Sequence, residues 1–264
     1  MTQRTDWRAA LPMYDWPEIR PSTDRFWGLI RDRLRALGMH PPHDLTRDAP
    51  AEALWSAADM MLTQSCGLPY VRSLRGRMTL LGAPDYDIPG CAPGWYCSAI
   101  VVRRDDPRAT FSEFRGSVAA VNGAGSQSGY AALAHHSAAD GLALPFFARC
   151  VVTGAHRASI LSVAEGDADI AAIDYVSWRL ATRHMTQSAQ LRVLACTDPT
   201  PGLPLLCGLD VDAAQMRHAV ADAIAMLSAH DRSALDPTAF CEFDPKDYDI
   251  IEKRAERAPR LCQV

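Results

Sequence analysis

No stretch of this sequence reaches 18 consecutive apolar residues, which excludes a membrane-spanning helix. Neither sign of charge is in excess: 27 Lys and Arg stand against 31 Asp and Glu, for a net charge of -4. The basic residues are scattered, so there is no electrostatic track for nucleic acid or an anionic membrane surface. Low-complexity segments and internal repeats are also lacking. The eight cysteines include no CxxC and no Cys/His spacing suited to zinc, so no metal site is expected. Reduced thiols are the expectation, with Cys150 and Cys196 as small hydrophobes in buried strands and Cys91/Cys97 as the pair to watch. The opening MTQRTDWRAALPMYDWPEIR carries charges and prolines but no signal-peptide core, so the chain as read is expected in the cytoplasm.

What is present is an ordinary globular composition, 48% apolar and 22% charged over 264 residues, enough for one large domain or two modest lobes. Strand and helix patterns alternate. Strands are expected at 10–15, 59–65, 77–83, 98–104, 116–122, 149–154, 168–174 and 191–197. Helices are expected at 22–38, from Pro50, from Ser128, and at 157–166, 175–184 and 212–230, followed by a polar, irregular tail. This alternation argues for α/β architecture with mostly parallel sheets. The strands at 98–104 and 191–197 bracket a self-contained βα block, which divides the chain into 1–98 plus 195–264 and 99–194, with a ligand cleft between the lobes.

The segment VNGAGSQSGYAALAHH, residues 121–136, packs hydroxyls and glycines between an apolar strand and a helix. Three known loops fail there. Gly123, Gly125 and Gly129 are spaced one residue too wide for a dinucleotide fingerprint. No lysine stands where an ATP loop needs one, and Ala124 breaks the G-x-S-x-G elbow. What remains is a helix start with hydroxyls and unsatisfied amides, where the helix dipole favours an anion. The plainer role is an N-cap by Ser126 or Ser128. A second cluster, Thr153, Gly154 and His156, again joins strand to helix, and Asp174 and Tyr175 end the next strand. In a doubly wound lobe all of these fall on one carboxyl edge.

Six segments, in chain order, resemble the PhnD-like family of phosphate/phosphite/phosphonate-binding proteins, the solute-binding components of ABC importers. They are MYDWPE (13–18), LTQSCGLPY (62–70), YCSAIVVRRDDP (96–107), FRGSVAAVNGAGSQSGY (114–130), TGAHRASILSVAEGDADIAAIDY (153–175) and PGLP (201–204). The resemblance implies the type II periplasmic-binding-protein fold, two doubly wound α/β lobes joined by two crossover strands. It implies that Ser126, Gln127 and Ser128, with Gly129 allowing close approach, hold the phosphoryl oxygens and that His156 is a further donor. Tyr14 and Tyr96 would close the site from the other lobe, and Asp174 would read the ligand's substituent. The function implied is non-catalytic binding of a small phosphorus oxyanion, without cofactor, with an ABC permease as partner. Exported members carry a leader, so a leader preceding this sequence would move the expected location to the periplasm.

Two alternatives use the same cleft. One is a cytoplasmic enzyme with His156 and Asp174 as acid and base, although no nucleophile or metal set accompanies them. The other is an aromatic box of Trp16, Trp95 and Trp178 for a quaternary amine. His135 and His136 point to different helix faces and are not expected to share a metal.

Overall fold

The computed structural model describes residues 6–55, 57–139, 145–257 and 260–262. In chain order the strands are β1 (Arg8–Ala10), β2 (Met60–Gln64), β3 (Thr79–Asp85), β4 (Trp95–Tyr96), β5 (Ser98–Arg103) and β6 (Val118–Val121). They continue as β7 (Arg149–Val152), β8 (Ile170–Asp174), β9 (Leu191–Cys196), β10 (Thr200–Pro201), β11 (Leu205–Cys207) and β12 (Ala239–Cys241). The α-helices are α1 (Arg20–Ala36), α2 (Ala51–Trp55), α3 (Gly67–Pro69), α4 (Ala132–Ala139) and α5 (His156–Glu165). After them come α6 (Tyr175–His184), α7 (Ala213–Ala225), α8 (Ala229–Leu235) and α9 (Asp249–Arg257).

These elements form two units, residues 1–95 with 201–248 and residues 96–200 with 249–264. The first contains a five-stranded sheet in the order β1-β2-β11-β3-β12. Only β1 and β2 pair in parallel there; β11 runs antiparallel to β2 and β3, and β12 antiparallel to β3. Pro21 suits the first turn of α1, whose Phe26, Trp27, Ile30 and Leu34 form one apolar stripe in the core with Met216, Ala219 and Val220 of α7. The Arg25 guanidinium grips the buried Asp231 carboxylate, Nε to Oδ1 at 3.0 Å, and so ties α8 to α1. The expected strand at 10–15 is displaced to 8–10: the chain leaves the sheet just before Pro12, which has no N–H for a ladder. The expected helix at 212–230 breaks in two at Met226–Ser228, where Ser228 starts α8 by accepting from the Asp231 N–H.

The second unit holds a sheet in the order β7-β6-β8-β5-β9. Strands β7, β6 and β8 are mutually parallel, while β5 is antiparallel to both of its neighbours. The mostly parallel arrangement read from the sequence therefore holds for this trio of strands and for the β1–β2 pair. Every residue of the central strand β8 is buried, as a continuous apolar run predicts. Helix α5 ends at Gly166 in the left-handed conformation, φ 85°.

The last part of the tail, from Asp249, is grouped with the second unit, whereas the division expected from the sequence puts all of it in the first. Leu261 is fully buried in that unit's core, and its carbonyl accepts from the N–H groups of Phe146 and Phe147 at 3.2 and 3.1 Å. A disulfide joins Cys150 to Cys262. This overturns the reduced, buried reading of Cys150, which lies half-buried on the edge strand β7, and Cys196 on the opposite edge strand is exposed. Cys91 belongs to the first unit and Cys97 to the second, and neither carries a disulfide. The chain passes between units a third time at 248/249, a crossing that the two-strand expectation did not include.

An ion-pair knot anchors the start of β8. Arg108 donates to both carboxylate oxygens of Asp106 at 2.9 and 2.6 Å and to Asp169 at 2.9 Å, and its guanidinium lies 3.9 Å from the Phe114 ring centroid. Hydrogen bonds from Arg108 hold the Asp106 pKa down at about 2, below the ordinary carboxylate value. A depressed carboxylate adds stability above its unfolded pKa and loses it as pH falls through the folded one. Asp106→Asn is therefore expected to lower stability by about 2 kcal/mol at pH 7 and by much less near pH 2. Urea unfolding at both pH values checks this; an equal loss at both would contradict it.

Candidate functional site

The site is built on the second unit. Because β6, β7 and β8 are parallel, their carboxyl ends share one edge of the sheet, and each leads toward a helix. Antiparallel pairing brings the first residue of β5 to the same edge, Ser98 standing opposite Asp174.

After β6 the chain turns through Asn122–Gly125 and enters a π-helical turn, Gln127–Ala131, which continues into α4. Ser126 is the N-cap, its Oγ accepting from the Gly129 N–H at 3.0 Å. The plain capping role and the proposed ligand role thus fall on one side chain, whose hydroxyl hydrogen is not used by the cap. Gln127 and Ser128 are buried. Gly129 has no room for a side chain: a Cβ there would lie 2.5 Å from Asn122 Oδ1 and 3.2 Å from Ser126 Oγ.

His156 is the first residue of α5. The turn that carries it is braced by Thr153, whose hydroxyl donates to the Val121 carbonyl at 3.1 Å and lies 2.7 Å from the Ser159 hydroxyl. Ser128 Oγ lies 2.7 Å from His156 Nε2. The backbone N–H of Asp174 also donates to Nε2, at 3.4 Å. A backbone N–H can only donate, so Nε2 is the acceptor, the ring proton sits on Nδ1, and Ser128 gives its hydroxyl hydrogen to Nε2. Nδ1 is enclosed and has no partner among the described residues. Burial pushes the imidazole pKa down to about 3, so the ring is uncharged at neutral pH.

The buried Asp174 ends β8 and caps α6, its Oδ1 accepting from the N–H groups of Val176 and Ser177 at 2.8 and 3.0 Å. That contact explains an acidic residue at this position without any ligand. The enzyme alternative is weakened by the same geometry. A Ser–His pair exists, but the base is far too weak near pH 7, no carboxylate orients its Nδ1, and the Asp174 oxygen Oδ1 faces the α6 backbone.

Ser126, Gln127, Ser128, Gly129, His156 and Asp174 therefore all gather at one edge of the second unit. Tyr14 lies in the first unit, in the loop after β1, with its ring edge-on to Tyr86 at 5.6 Å. Tyr96 is buried and is grouped with the second unit, not with Tyr14 as expected. Trp16 and Trp178 are buried in different units, and Trp95 is half-buried. His135 Nε2 contacts Asp198 Oδ2 at 3.2 Å while His136 packs edge-on against Phe111, so the two do face apart. No group of side chains suited to a metal occurs among the described residues.

Three residues at this edge were not foreseen. The Ser98 hydroxyl donates to the Ser128 carbonyl at 3.0 Å, and the Ser98 N–H donates to Thr197 Oγ1 at 2.9 Å. Asn122 Oδ1 is buried beside Gly129, with no partner among the described residues. The signal for Ser98 was one hydroxyl opening an otherwise apolar run, SAIVVR; its importance depends on pairing with Asp174, which the sequence does not display.

Buried hydroxyls and helix-start amides, with no cationic side chain among these residues, form a donor set for a desolvated anion. The fold around it is that of the type II periplasmic binding proteins. The family described as "ABC transporter, phosphonate, periplasmic substrate-binding protein" matches residues 66–249, and this chain belongs to it. Its members are non-catalytic, periplasmic components of ABC importers that deliver a small-molecule ligand to a transporter permease. No curated protein matches the sequence.

Three solved structures illustrate the fold. PhnD1 from Prochlorococcus marinus, in complex with methylphosphonate, is 14% identical with a TM-score of 0.76, over 97% of this chain and 100% of that one. A binding protein component of an ABC phosphonate transporter from Pseudomonas aeruginosa is 15% identical with a TM-score of 0.71, covering 96% and 87%. The periplasmic aliphatic sulphonate binding protein of Escherichia coli is 14% identical with a TM-score of 0.64, covering 98% and 91%.

Proposed function

We propose that this chain binds the phosphoryl group of a small phosphonate, or of phosphate or phosphite, at the edge formed by Ser126, Gln127, Ser128, Gly129 and His156. The first unit, through Tyr14, closes over the other end of the ligand in a cleft between the two units. One observation carries the reading: Ser128, buried at a helix start, hydrogen-bonds a neutral imidazole that supplies no charge of its own. Oxygens of an incoming anion take hydrogen bonds from Ser126 Oγ and the helix amides. Ser128 turns its hydrogen from Nε2 to the ligand, with the imidazole as the group that holds it in place until then. A ligand hydroxyl would find acceptors in Asn122 Oδ1 and the Ser128 lone pairs.

The Cys150–Cys262 disulfide supports work in an oxidising compartment, which agrees with the periplasmic setting of the family and not with a cytoplasmic one. An ABC permease is then the partner that receives the ligand.

Thermal unfolding in the presence of phosphate, phosphite, methylphosphonate, 2-aminoethylphosphonate, sulfate and choline tests the reading. A ligand at 100 times its Kd adds about 2.7 kcal/mol to stability, a rise of several degrees. At least one phosphorus oxyanion is expected to give it, with sulfate and choline giving none. A response to choline or sulfate alone would overturn the assignment.

A further inference from the structure

The first unit contains a pocket of its own, a cavity of about 50 Å³ at the end of its sheet where β1 gives way to the Tyr14 loop. Its walls include Tyr14, Tyr86, Phe26 and Leu235, most of its lining is apolar, and the polar side chains there are Thr23, Gln64 and the two tyrosines. No lining side chain carries a charge. The Thr23 hydroxyl donates to the Ile19 carbonyl of its own helix, at 3.4 Å, which leaves it a poor recognition group. The edge-on contact with Tyr86 fixes the Tyr14 ring as one wall.

We infer that this pocket receives the carbon substituent of the phosphonate and that the substituent is a short, uncharged alkyl chain. The inference rests on the proposed function, in which Tyr14 faces the end of the ligand opposite the phosphoryl group. Three physical points then select the chemistry. An apolar lining rewards burial of methylenes, at about 0.8 kcal/mol each, which is roughly fourfold in affinity per methylene. An ammonium group placed there would lose its hydration without a carboxylate to meet it. An enclosed apolar cavity of roughly 150 Å³ is what a benzene ring occupies, so the 50 Å³ here favours a short chain over an aryl ring. This assignment also separates the duties of the two ends: hydroxyls and amides hold the anion, and the tyrosine-walled pocket sorts ligands by what the phosphorus carries.

Calorimetric titration of the whole chain with phosphite and with methyl-, ethyl-, n-propyl-, phenyl- and 2-aminoethylphosphonate tests it. Affinity is expected to climb roughly fourfold per carbon from methyl to propyl and to drop for phenyl. The decisive pair is n-propyl against 2-aminoethyl, which are nearly equal in size; the amine is expected to bind at least roughly tenfold more weakly. Leu235→Trp, which fills the pocket, removes the gain along the series, and phosphite titrated on the same sample reports whether the oxyanion edge still works. Should that variant not fold, Leu235→Ala enlarges the pocket and moves the optimum to a longer chain. Equal affinities from methyl to propyl, or 2-aminoethyl binding as well as n-propyl, overturn the inference while phosphite binding leaves the proposed function intact. If no phosphorus compound binds, phosphite included, the proposed function itself fails and the pocket assignment falls with it.

Discussion

Replacing Ser126 and Ser128 together by alanine is expected to weaken binding of the best phosphorus oxyanion by a factor on the order of 10² to 10⁴. Two hydrogen bonds to a charged group are lost, each contributing about 1.5–3 kcal/mol where water is excluded. No cationic side chain among the residues that gather at this edge can compensate, and the neutral His156 does not take over, since its Nε2 is an acceptor for the Asp174 N–H. The protein should remain folded. Ser126 caps the turn through the Gly129 N–H, and loss of such a cap costs about 1 kcal/mol, a small part of the stability of a domain this size. Calorimetric titration of wild type and double variant with the same ligand reads the difference. A change of less than tenfold would mean that the oxyanion is held elsewhere.

The second large effect is on stability. The Cys150–Cys262 bridge spans 112 residues and closes a loop that takes in residues 150–200 and 249–262 of the second unit together with residues 201–248 of the first. In the chain-entropy view, a cross-link of that span stabilises by about 4–5 kcal/mol by restricting the unfolded chain. The bridge also helps to hold down the end of the chain, which is anchored as well by the buried Ile251 and Leu261, by hydrogen bonds to the Leu261 carbonyl and by Arg254 on the Pro199 carbonyl. Cys150→Ser combined with Cys262→Ser is therefore expected to move the urea midpoint of the second unit to much lower concentration and to open the tail to proteolysis. Counting thiols in denaturant gives an independent check. Of eight cysteines, six react before reduction and all eight after it, because two are bridged. Eight reactive thiols without reductant would remove both the bridge and the argument it gives for an oxidising compartment.

Much of the second unit was legible because its signals are local. The run ADIAAID announces a buried central strand, Gly166 marks the end of α5, and Ser126 sits where a helix needs a cap. The same locality made the gathering of Ser126, Ser128 and His156 at one edge readable, since parallel strands place their carboxyl ends together whatever the details of packing. What escaped depends on contacts distant in sequence. Ser98 matters only because β5 runs antiparallel to β8 and sets it opposite Asp174. The tail reads as polar and irregular, yet one leucine and one cysteine in it find partners more than 100 residues earlier. Cys150 looked buried because its neighbours are apolar; β7 is an edge strand, and an edge leaves one side of a strand without a neighbour. Asp174 shows a role that its position alone does not reveal: its Oδ1 caps α6.

The pocket beside Tyr14 belongs to the illegible part. Tyr14 and Leu235 lie 221 positions apart in the sequence, and only the docking of α8 on α1 through Arg25 and Asp231 makes them walls of one cavity.

Whether the hydroxyl-bearing helix start receives a phosphoryl group is decided by a crystal structure of the chain grown with methylphosphonate. The phosphonate oxygens are expected within hydrogen-bonding distance of Ser126 Oγ, Ser128 Oγ and the helix amides, with Ser128 turned away from His156 Nε2. A phosphonate bound at any other place, with the contact between Ser128 and His156 unchanged, would contradict it.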